Sequence, residues 1–82
     1  MSNMYGYLND CPMCGAVSTM ALTLEEANAV SLYESGMGVL IQDVLPNLNP
    51  FEREFIKTGY CVKCQEQLFS RKAPENTRVQ LY

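Results

Sequence analysis

An 82-residue chain of formal charge −3 with no histidine sets up no strong field for nucleic acid or an anionic membrane, and it cannot use imidazole as a base or a metal ligand. A chain this short buries only about 60% of the surface its unfolded form exposes, so its core leaves thin stability and a staple is expected. The composition, 48% hydrophobic and 18% charged, is that of a globular domain, and the apolar runs, Val39-Leu40-Ile41 among them, are far too short to span a membrane.

In chain order, the opening MSNMYGYLND carries no signal-peptide core. Tyr5, Tyr7 and Leu8 around Gly6 fit either a short strand or a loop packed against the first cysteine pair. In CPMCG, residues 11–15, Pro12 presets φ and Gly15 permits a positive φ, so backbone amides after Cys11 can turn toward its sulfur, as in a zinc knuckle. AVSTMALT, residues 16–23, is rich in β-branched residues and predicts one strand leaving that knuckle.

Thr23-Leu24-Glu25-Glu26 reads as a capping box, so a helix starts there, with Leu24, Ala27, Val30 and Tyr33 at helical spacing and Ser35-Gly36-Met37-Gly38 as its stop. A second helix is expected over about 38–45, with Leu40, Ile41, Val44 and Leu45 as its stripe and Pro46 as its end. Asn49-Pro50-Phe51-Glu52 marks a third start, with Phe51, Phe55 and Ile56 facing the core and Gly59 as the left-handed stop. GYCVKCQ, residues 59–65, then opens a short helix whose N-terminus favours thiolates. The segment 71–77 reads as a flexible linker to a tail that either pairs with 16–22 as a final strand, the favoured reading, or stays loose.

Cys11, Cys14, Cys61 and Cys64 are the only cysteines. Two CxxC pairs can converge on one tetrahedral ion, whereas one pair could only half-fill its shell. In a reducing compartment paired cysteines bind metal or do redox chemistry more often than they form structural disulfides. One structural Zn2+ is the expected cofactor. A rubredoxin-like iron site for electron transfer uses two CxxCG pairs, but Gln65 stands where the second glycine belongs. A thioredoxin-like dithiol lacks its βαβ setting. Catalytic zinc usually keeps an open position and histidine ligands, and Glu25, Glu26, Glu52 and Glu54 are better read as caps and solvated faces, so no enzyme is expected.

The run SGMGVLIQDVLPNLNPFEREFIKTGYCVKCQEQLF, residues 35–69, carries Leu40-Ile41-Gln42, Pro46, Leu48, Glu52-Arg53-Glu54-Phe55, Gly59, Cys61, Cys64 and Phe69 in an order that resembles small phage-encoded proteins. The resemblance implies a phage or prophage product and brings no activity with it. Read bottom-up, Leu40, Ile41, Leu45 and Phe55 of this run are core, and Gln42, Asp43, Arg53 and Glu54 are what remains to be solvated, bridge helices or face a partner. For Arg53, pairing with a carboxylate is the favoured reading.

The whole of 1–82 therefore reads as one small zinc-stapled domain, α+β or mainly helical, with a knuckle, a short strand, three to four short helices and a treble-clef or zinc-ribbon-like site of four cysteines. Two functions from different classes fit a soluble, cytoplasmic protein of this kind. One is a non-enzymatic module that binds a host or phage protein and modulates it. The other is a nucleic-acid-binding zinc finger using Lys57, Lys63, Arg71, Lys72 and Arg78.

Overall fold

The computed structural model describes residues 4–82. Its elements run β1 (Met4–Asp10), β2 (Val17–Thr23), α1 (Leu24–Glu34), α2 (Ile41–Val44), α3 (Pro50–Thr58), α4 (Val62–Phe69) and β3 (Gln80–Leu81). This is an α+β architecture: three strands in the order β1-β2-β3, all antiparallel, with four helices. Of the opening segment, residues 1–3 lie outside the described residues and Met4–Asp10 forms a strand. It pairs along β2 from Met4↔Thr23 to Asp10↔Val17, so the CPMCG segment becomes the turn of a hairpin.

Strand β2 is central and alternates cleanly: Ser18, Met20 and Leu22 are buried while Ala21 and Thr23 face out. The inward set meets Val30 of α1, Ile41, Leu45 and Leu48 around α2, Phe55 and Ile56 of α3, and Val79 beside β3. Phe55 is fully buried, and the Tyr7 ring stands edge-on to it at 5.8 Å and 81°. The Tyr7 hydroxyl donates to Glu34 Oε2 at 2.9 Å, tying β1 to the end of α1.

Both capping boxes form as read. The Glu26 amide donates to Thr23 Oγ1 and the Thr23 amide to Glu26 Oε1; the Glu52 amide donates to Asn49 Oδ1 and the Asn49 amide to Glu52 Oε1. Three expectations need correction, the third being the pairing of Arg53. The second helix is a single turn, Ile41–Val44, because Gly38 takes φ +79° and Leu40 is extended at φ −86°, ψ 139°, so helical backbone starts only at Ile41. At the other end Pro46 pushes Leu45 out of the helical region. Leu40, read as core, and Leu24, placed on its helix stripe, are more than half exposed, since helical spacing marks a stripe without saying that anything covers it.

The segment 71–77 has no regular structure but is anchored: the Ala73 amide donates to Glu66 Oε2, the Thr77 amide to the Pro74 carbonyl, and Asn49 Nδ2 to Thr77 Oγ1. Arg78 joins the two capping boxes. Its guanidinium makes a two-pronged pair with Glu26, Nη1 to Oε1 at 2.9 Å and Nη2 to Oε2 at 2.8 Å, and also reaches the Ala21 carbonyl. Its backbone amide donates to Glu52 Oε2 at 2.7 Å, and its Nε lies 3.5 Å from the same oxygen. The guanidinium holds the Glu26 carboxyl well below its usual range, at about 2. Arg53 makes no such pair. The ion pairs found among the described residues both belong to Arg78, and Arg53 Nε instead donates to the Leu48 carbonyl at 3.0 Å.

Candidate metal centre

The first cysteine pair sits on the turn between β1 and β2. The Cys11 amide donates to the Ala16 carbonyl and the Gly15 amide to the Cys11 carbonyl, both at 2.8 Å, closing the turn, and Gly15 takes φ +77°. An L-residue would be strained there. The closure leaves the backbone of Cys14 and Met13 close enough to lower the Cys11 thiol.

The second pair opens a helix. Gly59, at φ +85°, ends α3 by donating to the Phe55 carbonyl. It is packed so closely on β1 that a Cβ would lie 3.3 Å from the Asp10 carbonyl oxygen, next to Cys11 in the chain. Cys61 is then the N-cap of α4, its sulfur accepting from the Cys64 amide at 3.4 Å. Gln65, only 1% exposed, donates from Nε2 to the carbonyls of Phe51 at 3.0 Å and Tyr60 at 2.9 Å. It locks α4 to α3 and fixes the direction in which Cys61 and Cys64 point. The sequence displayed Gln65 only as a missing glycine; a long polar side chain right after a ligand pair was the available signal.

The four sulfurs lie within 4.8 Å of one another, and the Cys14 and Cys61 sulfurs are 3.7 Å apart. Four thiolates at Zn–S distances near 2.3 Å form a tetrahedron with edges of about 3.8 Å. The cluster is therefore the size of a tetrahedral metal shell, and no two of its cysteines are joined as a disulfide. It contains no carboxylate. Cys11 and Cys61 are buried, Cys64 is half-buried and Cys14 is exposed, so the site has a closed side and an open one.

The thiols differ electrostatically. Burial raises the Cys11 thiol, but the amides of Cys61, Cys14 and Met13 outweigh it and bring it down to about 6. Burial pushes Cys61 up, and Cys64 is pushed up to about 12, first by its hydrogen bond to Cys61 and then by burial. Sulfurs this close cannot all ionise by themselves; a divalent ion among them reverses that order by favouring every thiolate at once.

The other candidate residues do not gather here, apart from Lys63. Gln42 and Asp43 are exposed on α2; Arg53 and Glu54 are half-buried on α3, Glu54 beside a small pocket with Phe51, Phe69 and Arg71. Lys57, Lys63, Arg71 and Lys72 are exposed, spread over α3, the first turn of α4 and the segment after it. Arg78, counted with them in the sequence, is held by Glu26 and Glu52 instead. Among the described residues no helix is long and apolar enough to cross a membrane.

No protein-family model matches the chain, and neither curated proteins nor solved structures include a match to it. The centre has to be understood from its own geometry.

Proposed function

We propose that the chain is a zinc-stapled interaction module of phage origin, in which one structural Zn2+ on Cys11, Cys14, Cys61 and Cys64 fixes a surface that binds and modulates a host or phage protein. The observation that carries the metal reading is the convergence of four sulfurs, drawn from a hairpin turn and a helix N-terminus, at the spacing of a tetrahedral thiolate shell. A knuckle facing a helix start is a treble-clef-like supply of ligands. It favours zinc over a rubredoxin-like iron, whose second knuckle would need a glycine where Gln65 lies inside α4.

A full shell of thiolates leaves no open coordination position, and the chain has no histidine to act as a base; both favour a structural over a catalytic ion. Phage origin rests on the resemblance carried by residues 35–69. Binding of protein rather than nucleic acid is supported by the charge of −3, to which a tetrathiolate zinc centre adds about −2, and by the engagement of Arg78 with carboxylates. Elemental mass spectrometry with a thiol titration tests the metal: one zinc per chain and no reactive thiol before denaturation is expected, and red, iron-containing protein would overturn it. Capture of a stoichiometric protein from bacterial lysate by the zinc-loaded chain, with no shift of DNA or RNA at low salt, is the expected result for the partner. A salt-sensitive shift of nucleic acid without such a protein would reverse the choice.

A further inference from the structure

Strand β3 pairs with β2 on one side only. The Tyr82 amide donates to the Val17 carbonyl directly opposite, at 2.9 Å. In an antiparallel ladder the next pair inward, Leu81 with Ser18, is then a non-bonded one, and the Leu81 N–H and C=O point away from β2 along the open edge. The Leu81 side chain shares the inward face with buried Ser18 and Val79, yet it is 73% exposed. The core layer stops short of it.

What lies there is an open groove of about 610 Å³ between β3 and α4, with Val62, Lys63, Glu66 and Gln67 on its helical wall and Val79 and Leu81 on its strand wall. Cys14, Cys61 and Cys64 line its end at the start of α4. With a zinc ion in the shell that end carries about −2, and Glu66 adds to it while Lys63 offsets one charge. An apolar groove with an anionic end, bordered by a free strand edge, suits an extended chain with one apolar and one cationic side chain on the same face. Those are two positions apart in a strand.

We propose that a segment of a partner protein adds to the Leu81 edge as a fourth strand, seating an apolar side chain against Leu81 and Val62 and a lysine or arginine, two residues along, at the thiolate end of the groove. The charge half of this rests on the zinc reading; the edge and the apolar groove do not.

The probe is the acetylated, amidated pentapeptide Thr-Val-Thr-Lys-Thr, titrated into the 15N-labelled, zinc-loaded full chain. Saturable amide shifts at Leu81, Val62 and Gln67 are expected, at least tenfold weaker binding when the peptide lysine becomes glutamate, and loss of the shifts when the threonine between the peptide valine and lysine is N-methylated, since a strand running parallel to β3 uses that N–H on the Leu81 carbonyl. Leu81→Pro removes the edge N–H, which β2 does not use, together with the side chain that seats the peptide, and is expected to abolish the shifts at Val62 and Gln67 with zinc content and fold unchanged. Zinc-loaded protein showing no shifts at millimolar peptide, or the same shifts with the N-methyl peptide, overturns the strand-addition site and leaves the metal reading standing. Zinc content is measured on the same samples, so failure of the metal is read independently, and equal binding of the lysine and glutamate peptides overturns the cationic preference.

Discussion

The molecule is closed by two long-range clasps of opposite chemistry. At one end the turn of the β1–β2 hairpin meets the start of α4 through four cysteines. At the other, Arg78 gathers Glu26 of α1, Glu52 of α3 and the Ala21 carbonyl of β2. On the zinc reading proposed above, the thiol clasp closes around a cation and its strength is a binding energy. The arginine clasp supplies its own cation, and half of its work is done by carboxylates that already cap helices. Glu52 shows the economy: one oxygen takes the Asn49 amide and the other the Arg78 amide, so a nearly buried carboxylate is satisfied without a dedicated partner. Small domains need such closures because the core alone is marginal, and here the two are stationed at different ends of the central strand β2.

The largest expected effect comes from breaking the first clasp. Structural zinc in small domains contributes roughly 10 to 16 kcal/mol of apparent binding energy at neutral pH, more than the whole net stability of a domain this size. Cys61→Ser or Cys64→Ser is therefore expected to remove both the zinc and the cooperative thermal transition, followed by circular dichroism. A retained cooperative melt in either variant would refute the staple. Acid should act on this clasp before the other, because every sulfur must stay deprotonated to hold the ion. Glu26 stays ionised: its carboxyl is lowered from 4.5 to about 2, so its stabilisation is fully present above 4.5 and is lost only as pH falls from there toward 2. Zinc release and loss of helix signal are expected to coincide above pH 4.5.

Breaking the second clasp should cost less. Arg78→Met leaves Glu52 buried without its nearby guanidinium and Glu26 without its two-pronged partner. Because Arg78 is itself 30% exposed, the loss is expected at about 2–3 kcal/mol, below that for a fully buried pair. Urea denaturation of the zinc-loaded variant should show a lower midpoint with an unchanged slope and full zinc content. A change under about 0.5 kcal/mol would mean that the caps alone satisfy both carboxylates.

The two clasps also differ in how much of each was legible in the sequence. Residue type and spacing announce the thiol clasp, because two CxxC pairs in one short chain seldom occur for any reason but metal or redox chemistry. The local devices that aim it were equally readable: Thr23 with Glu26, Asn49 with Glu52, and Gly59 all act within one turn of themselves. The arginine clasp was hidden by a correct reading. Once Glu26 and Glu52 are explained as caps, nothing local says that each has an oxygen to spare, and Arg78 looks like one more solvated cation. Gln65 was obscured for the same reason, since its acceptors, the Phe51 and Tyr60 carbonyls, belong to a neighbouring helix and the link after it. The exposure of Leu24 and Leu40 is the converse case: periodicity located their stripe, but only tertiary packing decides how far a cover extends.

A third, weaker link sharpens the scale between these two. The Tyr7 hydroxyl joins β1 to Glu34 at the end of α1 through one exposed hydrogen bond, while its ring packs on Phe55. Burial, then the hydrogen bond to Glu34, raises the phenol from 10 to about 12. For an acid whose folded value is raised, the stabilisation is complete below the unfolded value and disappears as pH climbs through the folded one. The Tyr7 contribution should thus be constant up to about pH 10 and fade between 10 and 12. Tyr7→Phe keeps the ring and removes the hydroxyl, so it is expected to lose no more than about 1 kcal/mol at neutral pH. Measured by urea denaturation across that range, wild type and variant should converge as the wild-type phenol ionises. No gap at neutral pH would place the Tyr7 contribution in ring packing alone, and the link between β1 and α1 would then depend on neither charge nor metal.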